Sequence, residues 1–171
     1  MKQYTACFSG HRPEKLLVPW DETHPFIQEL IRQLERSILH AVERQYTHFI
    51  TGMARGVDIL AGEAVLRLKE QHPQLRLSAA IPYKTQSSSW SDYWKQRYYS
   101  LLLHSDSSIV LSESYYNGCL PARNNYMLGR SSLLICVSSG ETGGTQQTLK
   151  RAMKMGMDID FIDFKKCQQT H

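Results

Sequence analysis

Three stretches of this chain set glycines, hydroxyls and cationic side chains within a few residues of one another. The first is Ser9-Gly10-His11-Arg12-Pro13, placed where a short apolar run ends. Gly10 lets such a loop pass close to a ligand, His11 and Arg12 supply donors, and Pro13 stiffens the exit by fixing its own backbone angle. The second is TGMARGVD. Thr51 ends an apolar run, Gly52 can take a dihedral closed to other residues, and Gly56 allows close backbone approach. Arg55 offers a fixed charge and several donors suited to a phosphate or carboxylate. Asp58 falls in a first helical turn, where it can cap backbone amides or accept from a ligand hydroxyl. The third is SSGETGGTQQTL, in which Gly143, Gly144 and Thr145 open a helix. Free amides and the positive end of the helix dipole favour an anion there. The chemistry common to the three is anion binding. Neither the GxGxxG nor the Walker spacing is present.

Two further segments carry polar and aromatic groups. LSESYYNGCLPARNNYM holds Glu113, Arg123, Asn124 and Asn125, a mixed donor and acceptor set. PYKTQSSSW holds Tyr83, Lys84, Gln86 and Trp90, and a half-exposed Trp or Tyr can stack a purine or other flat ring. Trp94 and Tyr98, on the following helix, read as packing residues.

The elements that must position these loops follow from periodicity. Strands are predicted at residues 4–8, 48–51, 75–81, 108–111, 133–137 and 159–164. Apolar residues at three- and four-residue steps predict helices over 26–42, 57–68, 93–103, 123–129 and 146–155, with Ser91 or Asp92 as an N-cap. Strand, polar loop and helix alternate, which calls for a doubly wound, mainly parallel sheet with helices on both faces, a Rossmann-like α/β fold. In such sheets ligands bind beyond the carboxyl ends of the strands, and each loop named above falls at such an end.

At 171 residues the chain suits one domain with a full core, expected over residues 1–165, with a polar tail at 166–171. No apolar run approaches the roughly 20 residues of a membrane span. The N-terminal MKQYTACFSG lacks the pattern of a secretory leader, so the expected compartment is the cytoplasm. Cys7, Cys119, Cys136 and Cys167 are scattered without metal-ligand spacing, which favours core packing over a zinc or redox role. The net charge of +4 permits acidic ligands without pointing to nucleic acid.

The set SGHRP, TGMARGVD, Pro82–Gln86–Trp90, PARNNYML and GGT resembles the SLOG superfamily of DprA/Smf-like and LOG-like Rossmannoid proteins, and within it the small stand-alone YpsA-like branch of bacteria. The likeness runs over nearly the whole chain. It implies a ligand site formed by Ser9, Gly10, His11, Arg12, Thr51, Gly52, Arg55, Gly56, Asp58, Gln86, Trp90, Glu113, Arg123, Asn124, Gly143, Gly144 and Thr145. It also implies a nucleotide or nucleotide-derived ligand of the NAD or ADP-ribose type and a sensor or regulatory role. A homodimer is compatible with that reading.

Two departures from the superfamily pattern bear on activity. LOG-like enzymes carry a glutamate three residues after the threonine of the helix-opening loop, and here that position is Thr148. The acid for glycosidic cleavage is therefore missing from its expected place, which favours a non-catalytic binder over a hydrolase of an N-glycosidic or phosphate bond. The flanking domains and dense basic patch of a DprA-like DNA-binding protein are also missing from this sequence, which argues against nucleic acid as the partner.

Overall fold

Thr5–Gly10 forms β1, and its first five residues are buried because the strand has neighbours on both edges and helices on both faces. The computed structural model describes residues 1–16 and 18–168. Its order is β1, α1 (Pro25–Glu43), β2 (His48–Thr51), α2 (Val57–Lys69), β3 (Arg76–Ile81), α3 (Asp92–His104), β4 (Ser107–Val110), α4 (Cys119–Gly129), β5 (Leu133–Ser138), α5 (Gly144–Lys154) and β6 (Asp158–Asp163). All strand pairs are parallel, and the sheet order is β4-β3-β2-β1-β5-β6. This is the expected Rossmann-like single-domain architecture.

The order records one reversal. The chain adds β2, β3 and β4 outward from β1, then returns through α4 to place β5 on the other side of β1. Parallel crossovers share one hand, so reversing the direction of strand addition moves the later helices to the opposite face. Accordingly α1, α2 and α3 pack together on one face and α4 and α5 on the other. Phe8, Phe49, Leu30, Leu34, Ile59 and Leu77 fill the first interface, with the Phe8 and Phe49 rings stacked at 5.9 Å. Cys7, Ile50, Met127, Leu134, Cys136 and Ala152 fill the second. Burial pushes the Cys7 and Cys136 thiols up to about 12, so both stay protonated and serve as small apolar residues.

Three local differences from the expected elements have physical causes. Helix α4 begins at Cys119 rather than near Arg123, because Pro121 lies in its first turn, where an amide hydrogen would have no helical partner anyway. Helix α5 likewise starts earlier, on Gly144. The expected polar tail opens with a 3-10 turn, Lys166–Gln168, that buries Cys167 against the α1 side of the core. Residues 169–171 of that tail lie outside the described residues. Among the described residues, no helix is long and apolar enough to cross a membrane.

Candidate functional site

Where a doubly wound sheet changes direction, the loops leaving the two adjacent strands splay to opposite faces and open a crevice. Here the reversal lies between β1 and β5. A cavity of about 270 Å³ occupies that position, lined by Ser9, Gly10, His11 and Arg12 after β1 and by Thr142, Gly143, Gly144 and Thr145 after β5. Asp58 from α2 and Arg123 and Asn124 from α4 form its floor and far wall. Lys15, Ala54 and Leu120 also line it.

A chain of polar contacts holds this cavity together across the sheet. The Arg123 guanidinium is buried; its Nη1 donates to the Gly52 carbonyl, and its Nε donates to Asn124 Oδ1 at 2.7 Å. Asn124 Nδ2 donates to Thr148 Oγ1 at 2.9 Å, and that hydroxyl donates to the Gly144 carbonyl at 2.9 Å. The loop after β2 is thereby tied through α4 to the first turn of α5. Thr148 is thus a structural link in this chain, a role that its position in the superfamily pattern did not suggest.

Asp58 neither caps the amides of α2 nor stands free. Its Oδ2 accepts the Ala54 amide hydrogen at 3.2 Å and lies 4.0 Å from Arg123 Nη1. Burial raises its carboxyl above the usual range, while Arg123, the Ala54 amide and Arg12 pull it down. Thr51 is fully buried behind the loop, where its hydroxyl donates to the Asp58 carbonyl at 2.8 Å. Gly52 does not take a left-handed dihedral, contrary to the sequence expectation; a Cβ there would lie 2.4 Å from Arg123 Nη1, so the glycine makes room for the guanidinium. Gly56 does have φ of 89°, and its Cα faces the His11 carbonyl so closely that a Cβ would lie 2.7 Å from it.

Helix α5 presents its N-terminus to the crevice with no side chain capping it. Gly143 and Gly144 are exposed, and a Cβ at either would meet nothing within 4 Å, so the approach to these amides is open. Among the lining residues, Arg12, Lys15 and Arg123 face a single carboxylate, that of Asp58. Three cations, one acid and an open helix N-terminus give the crevice a net positive lining, which is the electrostatics an anion favours.

Seven expected ligand residues do not line this crevice: Thr51, Gly52 and Gly56 lie behind it, and Glu113, Arg55, Gln86 and Trp90 stand elsewhere. Glu113 does not line the crevice: its side chain is 85% exposed and reaches only Lys84, at 3.4 Å. Arg55 turns away from the crevice, pairs with Glu14 at 2.6 Å and sits over the Trp90 ring at 5.8 Å. Gly56 and Met53, on either side of Ala54 and Arg55, both take positive φ, so this loop departs from extended or helical backbone where Arg55 leaves it. Arg55, Gln86 and Trp90 line an adjoining cavity of about 510 Å³, with Tyr83, Trp94 and Tyr115. Arg12, Ala54 and Leu120 border both cavities. Trp94, read as packing, is buried yet forms part of this wall; Tyr83 is the ring the sequence offers for stacking beside Trp90, and Tyr115 is one it does not single out.

The profile of the YspA SLOG family matches residues 6–167. The chain belongs to that family. A UPF0398 protein of Halalkalibacterium halodurans is 26% identical over 149 residues, covering 85% of this chain and 78% of its own. The SPbeta prophage-derived protein YoqJ of Bacillus subtilis is 30% identical over 139 residues, 71% of this chain and 81% of its own. Among solved structures, DNA processing protein A (DprA) of Streptococcus pneumoniae matches with a TM-score of 0.57 at 20% identity. That match covers 94% of this chain and 50% of the DprA chain, so this SLOG chain spans half of the other's length and shares its fold.

His11 joins the two loops that bound the crevice in this SLOG fold. Its Nε2 accepts the Ser139 amide hydrogen at 3.4 Å, and its ring meets Phe164 edge to face at 5.2 Å. Burial holds the imidazole below its ordinary value. The unfolded chain therefore binds this proton more readily than the native state, and stability is lost as pH falls below about 6.5. Replacing His11 with Gln keeps an acceptor and removes the titration. Thermal denaturation across pH 4 to 8 is expected to show the parent losing stability relative to His11→Gln on the acid side. Parallel profiles would mean that His11 titrates alike in both states.

Proposed function

We propose that this SLOG protein binds a small phosphate-bearing ligand, a nucleotide or nucleotide derivative of the NAD or ADP-ribose type, as a sensor or regulator. The observation that carries the reading is the uncapped N-terminus of α5 facing Arg12, Lys15 and Arg123 across the β1–β5 crevice. Backbone amides there take anionic oxygens without desolvating a charge of their own, and Arg12 adds a charge-assisted pair at the rim. The name of the DprA neighbour refers to DNA processing, but the likeness at 20% identity is one of fold. A crevice of about 270 Å³ at a helix N-terminus has room for a terminal or bridging phosphate.

Calorimetry with ADP, ADP-ribose and inorganic pyrophosphate tests this directly. At least one is expected to bind, and Arg12→Ala is expected to weaken that binding by about 1.5–3 kcal/mol, roughly 10- to 150-fold. Arg12 is exposed, so the variant should fold as the parent does. Absence of binding by all three, or undiminished binding to Arg12→Ala, would sink the proposal. Release of a free base or phosphate from the bound nucleotide would replace it with the hydrolase reading.

A further inference from the structure

The second cavity holds a group that the protein leaves unsatisfied. Gln86 is 6% exposed, lines that cavity, and its Oε1 has no donor. A buried amide oxygen without a partner costs stability, so its retention asks for a reason. Because Gln86 lines the cavity, a rotation about its broad terminal torsion would let that oxygen meet a donor held there. Around it stand rings that the core has not absorbed. Trp90 is half-buried, Tyr115 is 62% exposed, and Tyr83 meets Tyr115 edge to face at 5.4 Å. The Trp90 ring is held upright from behind by Tyr98, with ring centroids 5.4 Å apart at 89°. Arg55 lies over Trp90 and is fixed by Glu14, so its plane flanks the cavity as a further stacking surface.

We infer that this cavity is a subsite for a flat heteroaromatic ring carrying an N–H donor, stacked on Trp90 and Tyr83 and hydrogen-bonded by Gln86. The inference rests on the anion reading of the neighbouring crevice, because Arg12, Ala54 and Leu120 border both cavities and one ligand can span them. Its phosphate would lie at α5 and its ring at Gln86. That division of labour assigns Arg55 to the ring end of the ligand. Nucleobases fit the chemistry, since stacking tolerates any base while an amide oxygen selects an edge bearing N–H.

The test titrates the full chain with ADP, GDP, CDP and UDP, using inorganic pyrophosphate as the ring-free probe. At least one nucleotide is expected to bind 10-fold or more tightly than pyrophosphate and to quench tryptophan fluorescence. Trp90→Leu is expected to remove that gain while pyrophosphate affinity stays the same. Gln86→Met is expected to lower nucleotide affinity without lowering the melting temperature, because it deletes an unpaired polar atom from a buried position. A merely structural glutamine would show the opposite pattern. Nucleotides that bind no better than pyrophosphate, or a gain that survives both substitutions, would overturn the ring subsite and leave the anion site standing. No binding by nucleotides or pyrophosphate would overturn both.

Discussion

Arg123→Met should destabilise the protein by about 3–5 kcal/mol, the usual cost of stranding one partner of a buried ion pair. Arg123 and Asp58 are each 5% exposed, and the Arg123 guanidinium also satisfies the Gly52 carbonyl and the Asn124 side chain. Methionine fills much of the volume and satisfies none of these acceptors. Two further measurements separate this account from a packing defect. First, Asp58→Asn combined with Arg123→Met should cost less than the sum of the two single changes, since the neutral amide needs no counter-charge. Second, the pH dependence has a definite sign. The Asp58 carboxyl is raised by burial even with Arg123 present, and without the guanidinium the rise is greater. A carboxyl raised in the folded state contributes stability below its unfolded value that is lost as pH climbs through the folded value. Arg123→Met should therefore approach the parent's stability in acid and fall away from it toward neutrality. Denaturant titrations that show a constant deficit at all pH values would assign the loss to packing alone. The same variant should lose phosphate-dependent binding, because the floor of the crevice and the first turn of α5 are held through the Arg123–Asn124–Thr148 contacts.

Gly10→Val should fail as a folded protein or lose several kcal/mol, although the sequence suggests only that Gly10 lets its loop pass close to a ligand. A Cβ at Gly10 would lie 2.3 Å from Val57 Cγ1 and 2.5 Å from Val57 Cβ. Val57 is fully buried at the start of α2, so the added atoms would press the end of β1 against the helix that begins there. Overpacking in a filled core costs about 1–3 kcal/mol for extra methylenes that can be accommodated by small shifts, and overlap of this depth exceeds that case. Even Gly10→Ala is expected to be measurably less stable than the parent. Val57→Ala should recover only part of the loss, because the Val57 Cβ itself is among the clashing atoms. Chemical denaturation of the three variants checks this. A Gly10→Ala protein as stable as the parent would show that α2 can withdraw from β1, and the close packing of the first two loops would then not be obligatory.

How far the residue pattern reached is clearest in particular elements. Alternation of apolar runs with amphipathic segments is a local property, written in residues a few positions apart, and it suffices for the six strands, the five helices and their doubly wound class. The make-up of the SGHRP and GGT loops was legible for the same reason: glycines, hydroxyls and a helix start are adjacent in the chain. Strand order was not legible, because pairing β5 beside β1 depends on contacts between residues more than a hundred positions apart. That one pairing creates the crevice. The direction of a side chain in an irregular loop was equally out of reach. Arg55 reads as a phosphate ligand from its neighbours, yet in a loop where Met53 and Gly56 take positive φ it meets Trp90 and Glu14 instead. Glycine is ambiguous in the same way, since freedom of φ and absence of Cβ leave the same letter. Gly56 uses both, whereas Gly10 and Gly52 use only the missing Cβ, for Val57 and for Arg123. Periodicity and loop composition act over a few residues and so survive in the linear chain; the partner of a buried charge or of a bare Cα is set by distant segments brought together only when the sheet forms.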